Sequence, residues 1–322
     1  MKLAIVTCLW RRPALTKTVL KYYARTFPDC ILIAVKDPND AQIKVDGWEF
    51  IEHPNEPLPQ KFNAAFLEAQ KYNPDAVVLV GSDDLLSRQL IDFYQSNYGG
   101  SRNYILGLKD LYFHNNRTGE TIHWHGLQGK DEGMPIGCGR IFSKTVLNKL
   151  DWKPYGDLEV KRGLDTNSTI YMKSKGVGQS CITMAESGIA VDLKGDQSIN
   201  PFDEWKFNFS PSEISIIESE FPEEMASIHG ARMDESRFPK GKTITCKIIK
   251  SELEGEFIGE IGSNIILEGS TAFGMYRNGL IALPEIYIDI PVEPVIEITD
   301  EQFEKAGYKK RKNTKPQSED IT

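Results

Sequence analysis

The sequence predicts an α/β protein: a mostly parallel, Rossmann-like sheet flanked by helices, followed by a small β-barrel-like module. Three observations carry this expectation. Short apolar runs alternate with helix-spaced segments through the amino-terminal two thirds of the chain, the order that builds βαβ units. One of those runs, Ala76-Val77-Val78-Leu79-Val80, ends abruptly in Gly81-Ser82-Asp83-Asp84, and α/β sheets bind their ligands outside the carboxyl ends of their strands. After Lys240 the pattern changes to two-residue alternation interrupted by recurring glycines.

Taken in order, residues 3–9 form an apolar strand, and Pro13 suits a first helical position, with Leu15, Val19, Leu20 and Tyr23 following at helical spacing. Residues 31–35 and 48–51 read as the second and third strands. Residues 59–72 read as an amphipathic helix with Phe62, Ala65, Phe66 and Ala69 on one face. The acid-tipped strand comes next, then a helix expected over 85–98, for which Asp84 is either a cap or free to serve a ligand. A strand over 104–108 leads to a turn at 115–119. Residues 126–139 are too glycine-rich for regular structure and read as a mobile lid or acceptor loop. Helices are expected over 143–150 and 166–172, and a last core strand over 189–193. Right-handed crossovers would gather the loops after Leu9, Val35, Ile51 and Val80 into one pocket. The expected domains are 1–205, a connector at 206–239, the β module at 240–293 and a polar tail at 294–322. That tail holds Lys309, Lys310, Arg311 and Lys312 and is expected to be disordered.

Composition narrows the function class. At 322 residues with 40% hydrophobic side chains the chain can bury a sizeable core, and a net charge of -8 argues against whole-surface attraction to nucleic acid. Five cysteines without a CxxC pair indicate neither a zinc module nor a disulfide framework, so a reducing cytoplasm is expected. No signal peptide and no 18-residue apolar stretch is present, so no membrane span is expected.

Adjacent carboxylates at Asp83 and Asp84 suit a hard divalent cation that also grips phosphate oxygens. Arg11 and Arg12 are either phosphate-facing or solvated residues at a helix entry. His123 and His125 are either a metal pair or members of an ordinary hairpin strand. Gly137-Cys138-Gly139-Arg140 lacks the lysine and serine spacing of a phosphate loop and reads as acceptor-side. Cys8 and Cys138 read as buried small residues.

With these residues in hand, residues 2–205 resemble the family 2 type of GT-A glycosyltransferases. The resemblance lies in Ala4-Ile5-Val6-Thr7-Cys8, whose end in such enzymes contacts the nucleotide, in Asp37 after the second strand, and in Pro59-Gln60-Lys61-Phe62-Asn63. Gly81-Ser82-Asp83-Asp84 occupies the place of the family's Asp-x-Asp metal motif, with Gly81 where the first aspartate usually stands. Arg162-Gly163-Leu164-Asp165 resembles the segment that supplies the catalytic base, and Asp192-Leu193-Lys194 a closing element near the diphosphate. The resemblance implies transfer of a sugar from a nucleoside diphosphate sugar, UDP-sugar favoured, to a hydroxyl acceptor. It implies Mn2+ or Mg2+ at Asp83 and Asp84, donor contacts from Thr7, Arg11, Asp37, Lys61, Asn63, Ser82, Asp83 and Lys194, and Asp165 as the base. The residues alone also allow Asp165 to cap a helix starting at Thr166.

Segments between 248 and 282 are similar to short β modules of tailed-phage proteins. This implies a phage-encoded enzyme in a bacterial host cytoplasm, with hydroxylated or hydroxymethylated bases of phage DNA as acceptor, or else a protein or glycan. Two other functions fit the same fold: a non-catalytic carbohydrate-binding or phage structural protein, and a sugar-nucleotide nucleotidyltransferase. The last would normally show a glycine-rich turn after the first strand, where this chain has Thr7-Cys8-Leu9-Trp10.

Overall fold

The computed structural model describes residues 1–10, 12–39, 43–98, 102–160, 163–195, 198, 200–230, 243–248, 252–253, 256–257, 263–268, 281–282 and 296–297. It divides into two compact units, Met1–Arg232 and Met233–Thr322.

The first unit opens with β1 (Leu3–Cys8), α1 (Pro13–Thr26), β2 (Ile31–Lys36), β3 (Trp48–Glu52), α2 (Leu58–Gln70) and β4 (Ala76–Gly81). Then come β5 (Asp84–Leu86), α3 (Arg88–Asn97), β6 (Tyr104–Leu108), β7 (Leu111–Asn115), β8 (Thr121–Trp124), β9 (Ile141–Ser143) and α4 (Lys144–Lys149). The unit closes with α5 (Leu164–Ser174), β10 (Gly178–Ile182), α6 (Met184–Ser187), β11 (Ala190–Lys194), β12 (Phe209–Pro211), α7 (Ile214–Glu220) and α8 (Pro222–Gly230).

Seven strands form the main sheet in the order β10-β6-β9-β4-β1-β2-β3. All are parallel except β9, which runs against both of its neighbours. Because parallel strands are covered on both faces, β1 reads as an unbroken apolar run. Ala4 and Val6 pack with Phe66 and Ala69 of α2 on one side, while Leu3 and Ile5 join the α1 residues Leu20 and Tyr23 on the other. The fold is thus the expected α/β class, a large mostly parallel sheet flanked by helices.

The chain leaves this sheet at Gly81, turns through Ser82 and Asp83, and enters a second sheet as β5. That sheet has the order β12-β8-β7-β11-β5. The helix expected from Leu85 therefore starts later: Asp84, Leu85 and Leu86 pair with β11, and α3 begins at Arg88 with Ser87 as its cap, its side chain accepting from the Leu90 N–H at 3.2 Å. Two tyrosines of α1 fix the crossover. Tyr22 donates to the Leu86 carbonyl at 2.8 Å and Tyr23 to the Asp84 carbonyl at 3.1 Å.

The turn expected at 115–119 joins β7 and β8, where the Asn115 side chain accepts from the N–H groups of Arg117 and Thr118. Within the first unit α8 packs on α1, with Arg25 paired to Glu223 and Glu224 and Phe221 edge-on to Tyr22.

In the second unit β13 (Thr243–Ile248) pairs antiparallel with β16 (Asn264–Glu268) and with β17 (Ile281–Ala282), and β16 pairs parallel with β18 (Ile296–Glu297). A separate hairpin joins β14 (Glu252–Leu253) and β15 (Glu256–Phe257). The strand expected at 286–290 and the basic residues from 309 on lie outside the described residues.

Candidate active site

The sheet-to-sheet crossover makes a carboxylate cluster. Asp83 lies in the turn and Asp84 opens β5. Antiparallel pairing of β5 with β11 sets Asp192 directly opposite Asp84, and the Leu193 N–H donates to the Asp83 carbonyl at 2.9 Å. Asp83, Asp84 and Asp192 each present an oxygen within 4.8 Å of the other two.

Two cations serve this trio. Arg12, just before α1, pairs with Asp83 and reaches Ser198 Oγ at 3.2 Å and Ser82 Oγ at 3.5 Å. Lys194 donates to Asp192 Oδ2 at 2.6 Å, with its ammonium 5.0 Å from the Phe113 ring centre and 5.5 Å from that of Trp205.

The electrostatics are divided. Burial works to raise the Asp83 carboxyl, but Arg12 and Lys194 outweigh it and hold it below its ordinary value. Asp84 is pushed well up by burial and by the charges of Asp192 and Asp83. Asp192 is pushed up to about 6, chiefly by burial, with Lys194 opposing. Burial works against both cations, yet Asp83 raises Arg12 and Asp192 raises Lys194.

The trio fits a hard divalent cation. Its donors are all oxygens, and Asp192 Oδ1 is buried without a hydrogen-bond partner, an atom that costs free energy unless something binds it. Gly81 explains how the cluster manages without a side chain at that position. A Cβ there would lie 2.8 Å from Asp84 Oδ2, and the Asp84 carboxylate occupies that space, accepting from the Gly81 N–H.

Asp165 is tied to the loop before β9, the loop whose Cys138 feels the charge of the cluster. Its Oδ2 accepts from the Gly137 N–H at 2.9 Å, and the Cys138 thiol in the next residue is raised by burial and by the Asp84 charge. Asp165 is not a helix cap: α5 starts one residue earlier at Leu164, and left-handed Gly163 takes the cap position. Fully buried Arg140 ties the loop to α5. Its guanidinium donates to the carbonyls of Pro135 and Ile136, to Ser168 Oγ at 2.9 Å and to the Asp165 carbonyl at 3.3 Å.

Asp37, Asn55 and Lys61 build a second network at the same edge of the main sheet. Asp37 accepts from the N–H groups of Asn39 at 2.9 Å and Asn55 at 2.7 Å, which with the nearby Lys61 charge hold its carboxyl below the ordinary value despite partial burial. Lys61 is buried and donates to the Leu9 carbonyl and Asn55 Oδ1, each at 2.7 Å. Lys61 and Asn55 thus tie together the loops after β1, β2 and β3, three of the four expected to gather. Asn63 faces inward: it donates to the Gly156 carbonyl at 2.8 Å and accepts from the Tyr155 N–H at 3.1 Å. Thr7 is buried in β1, its Oγ1 without a partner. Arg11 and Arg162 lie outside the described residues.

The two histidines sit in β8 and at its end. His123 Nε2 pairs with Asp110 at 2.7 Å, and His125 Nε2 with Ser210 Oγ at 3.1 Å. Asp192 is the residue that sequence reasoning left out of the metal set. Its signals in the sequence are the acid interrupting the apolar run 189–193 and the resemblance of Asp192-Leu193-Lys194 to a closing element near the diphosphate.

No family model and no curated protein matches the chain. Among solved structures it is similar to TarS of S. aureus, at 12% identity over 60% of this chain, with a TM-score of 0.41. The match spans 37% of the length of TarS. It is also similar to 2-C-methyl-D-erythritol 4-phosphate cytidylyltransferase from Thermus thermophilus, at 12% identity over 57% of this chain and 89% of that one, with a TM-score of 0.37. Likeness at this level leaves function to be argued from the site. Among the described residues no helix is long and apolar enough to cross a membrane.

Proposed function

We propose that the chain is a metal-dependent glycosyltransferase that moves a sugar from a nucleoside diphosphate sugar, UDP-sugar in the first instance, to a hydroxyl acceptor. The observation that carries this reading is the convergence of Asp83, Asp84 and Asp192 where the two sheets meet; the hydrogen bond from Gly137, in the loop before β9, to Asp165 supports its role as the base.

Asp83, Asp84 and Asp192 would hold the divalent cation, which when bound supplies Lewis-acid charge against a departing diphosphate. Arg12 and Lys194 add positive charge in a region poorly reached by water, where it counts for more than in bulk solvent. Asp165 takes the proton from the acceptor hydroxyl as that oxygen attacks the sugar. The Gly137 N–H keeps one carboxylate oxygen fixed, and Arg140 holds the Asp165 backbone. Asp37, Asn55 and Lys61 organise the loops that would frame the nucleoside. DNA bases as acceptor have no support among the described residues, so the proposal stops at a hydroxyl.

Calorimetric titration of UDP with and without Mn2+ tests the donor side. Asp83→Asn and Asp192→Asn should each abolish the metal-dependent gain in affinity, and an unchanged gain would remove the metal reading. Hydrolysis and transfer assays test the base. Asp165→Asn should lower turnover by about a hundredfold while leaving UDP affinity intact. Asparagine still accepts the Gly137 hydrogen bond, so a residue with only a structural role would keep full activity in that variant.

A further inference from the structure

The carboxylate trio already has its own cations. Arg12 and Asp83 are 10% and 14% exposed in their side chains, Lys194 and Asp192 7% and 15%. Among the described residues two cations thus already serve the three carboxylates, in a buried cluster where ion pairs are weakly screened. A divalent cation entering alone would have to compete with Arg12 for Asp83 and share Asp192 with Lys194, bringing two further positive charges to a trio that already has two beside it. Both side chains are long enough to take other partners: Arg12 already reaches the hydroxyls of Ser82 and Ser198, and Lys194 lies over two aromatic rings.

Resting on the metal reading above, we propose that Arg12 and Lys194 are resident counter-cations that make metal entry conditional on a diphosphate. In the ligand-free protein they neutralise the trio. A diphosphate gives both cations a new anionic partner, so the carboxylates are released for the metal as the phosphates arrive. Metal and diphosphate therefore favour each other through these two side chains, and by linkage the coupling is the same from either side.

The test is Mn2+ binding to the full chain, read by calorimetry and by water-proton relaxation rather than by turnover. Wild type should bind Mn2+ alone more weakly than about 0.1 mM, a weak site on the scale of protein cation sites. Arg12→Gln and Lys194→Met should each tighten Mn2+ binding by about tenfold or more. The factor by which Mn2+ improves UDP affinity should fall by a similar amount, because solution chelation of Mn2+ by UDP is common to every form and cancels. Lys206→Gln removes a charge engaged with Glu120 and Asp203, and should change neither quantity. Mn2+ affinity and coupling left unchanged by both variants overturn the proposal alone. Absence of Mn2+ binding in every form, wild type with UDP included, overturns the metal reading as well. If the variants do not fold, the wild type decides: Mn2+ binding tighter than about 0.1 mM with no phosphate present overturns the proposal, and weaker binding that UDP strengthens upholds it.

Discussion

Two of the four candidate site carboxylates, Asp84 and Asp165, are each approached by a glycine, and the geometry differs enough to separate folding from function. At Gly81 a Cβ would meet Asp84 Oδ2 at 2.8 Å, and at Gly137 it would meet Asp165 Oδ1 at 2.4 Å. In both cases the atom struck is the far end of a side chain, so the carboxylate moves and the backbone stays. Gly81→Ala and Gly137→Ala should therefore lower the melting temperature by only a few degrees, of the order of 1 kcal/mol. Gly81→Ala should impair Mn2+-dependent UDP binding, and Gly137→Ala turnover. Thermal unfolding beside calorimetry and a transfer assay checks the pair, and a collapse of the fold in either variant would contradict this reading. The same scale shows what the sequence made legible. Asp83 and Asp84 stood out because acids end an apolar strand. Asp192 is legible only as part of a closing element, not as a metal ligand, because its place opposite Asp84 depends on pairing with a strand more than a hundred residues earlier, and strand register between distant segments leaves no local trace.

Among the elements, β5 is the one whose residues read as helix; β9, β10, α6 and α8 are short elements that the sequence pattern does not mark. Three residues of strand followed by a capped helix present the same apolar periodicity as a longer helix, and only Ser87 marks the true start. The α1 to β4 segment was legible throughout because parallel strands buried on both faces are uniformly apolar while their helices are amphipathic. Residues 108–111 show how side chains join elements that sequence spacing keeps apart. Asp110 Oδ1 accepts from the Met184 N–H at 2.9 Å at the start of α6, and Oδ2 from His123 in β8.

Burial works to raise the Asp110 carboxyl, but the His123 and Met184 hydrogen bonds outweigh it and hold it below the ordinary value. A carboxyl depressed in the folded state contributes stability above its unfolded pKa of about 3.9, and loses it as pH falls through the lower folded value. Asp110→Asn should thus cost about 1–2 kcal/mol at pH 6, and the gap from wild type should close as pH drops below about 4. Urea denaturation at several pH values would show it; a gap independent of pH would mean that the carboxylate charge contributes nothing.

At the scale of the whole molecule, every proposed catalytic residue falls within Met1–Arg232. Among the described residues the cores of that unit are drawn from its own residues, with Phe221, Met225 and Ile228 of its last segments included. A chain ending at Arg232 should therefore fold, melt cooperatively and bind UDP with Mn2+ as the full chain does. Circular dichroism melting and calorimetry check this, and loss of soluble protein would place part of the core beyond residue 232. In the second unit β13 was readable from its alternation, since a hairpin strand carries its period within five or six residues.

The single reversed strand of the main sheet has an evolutionary consequence. Because β9 runs against its neighbours, it is the segment before it, not after it, that arrives at the edge where β1, β2 and β4 end; the Gly139 N–H donates to the Leu79 carbonyl there, at 2.9 Å. On the proposed reading, the donor is handled by connections that leave strands, and the acceptor by a connection that enters one. Insertions and substitutions in 126–139 can then alter what is modified without disturbing the crossovers that frame the nucleotide. A lineage of such enzymes would be free to change acceptors rapidly while keeping one donor, and grafting that single loop between relatives would transplant acceptor choice.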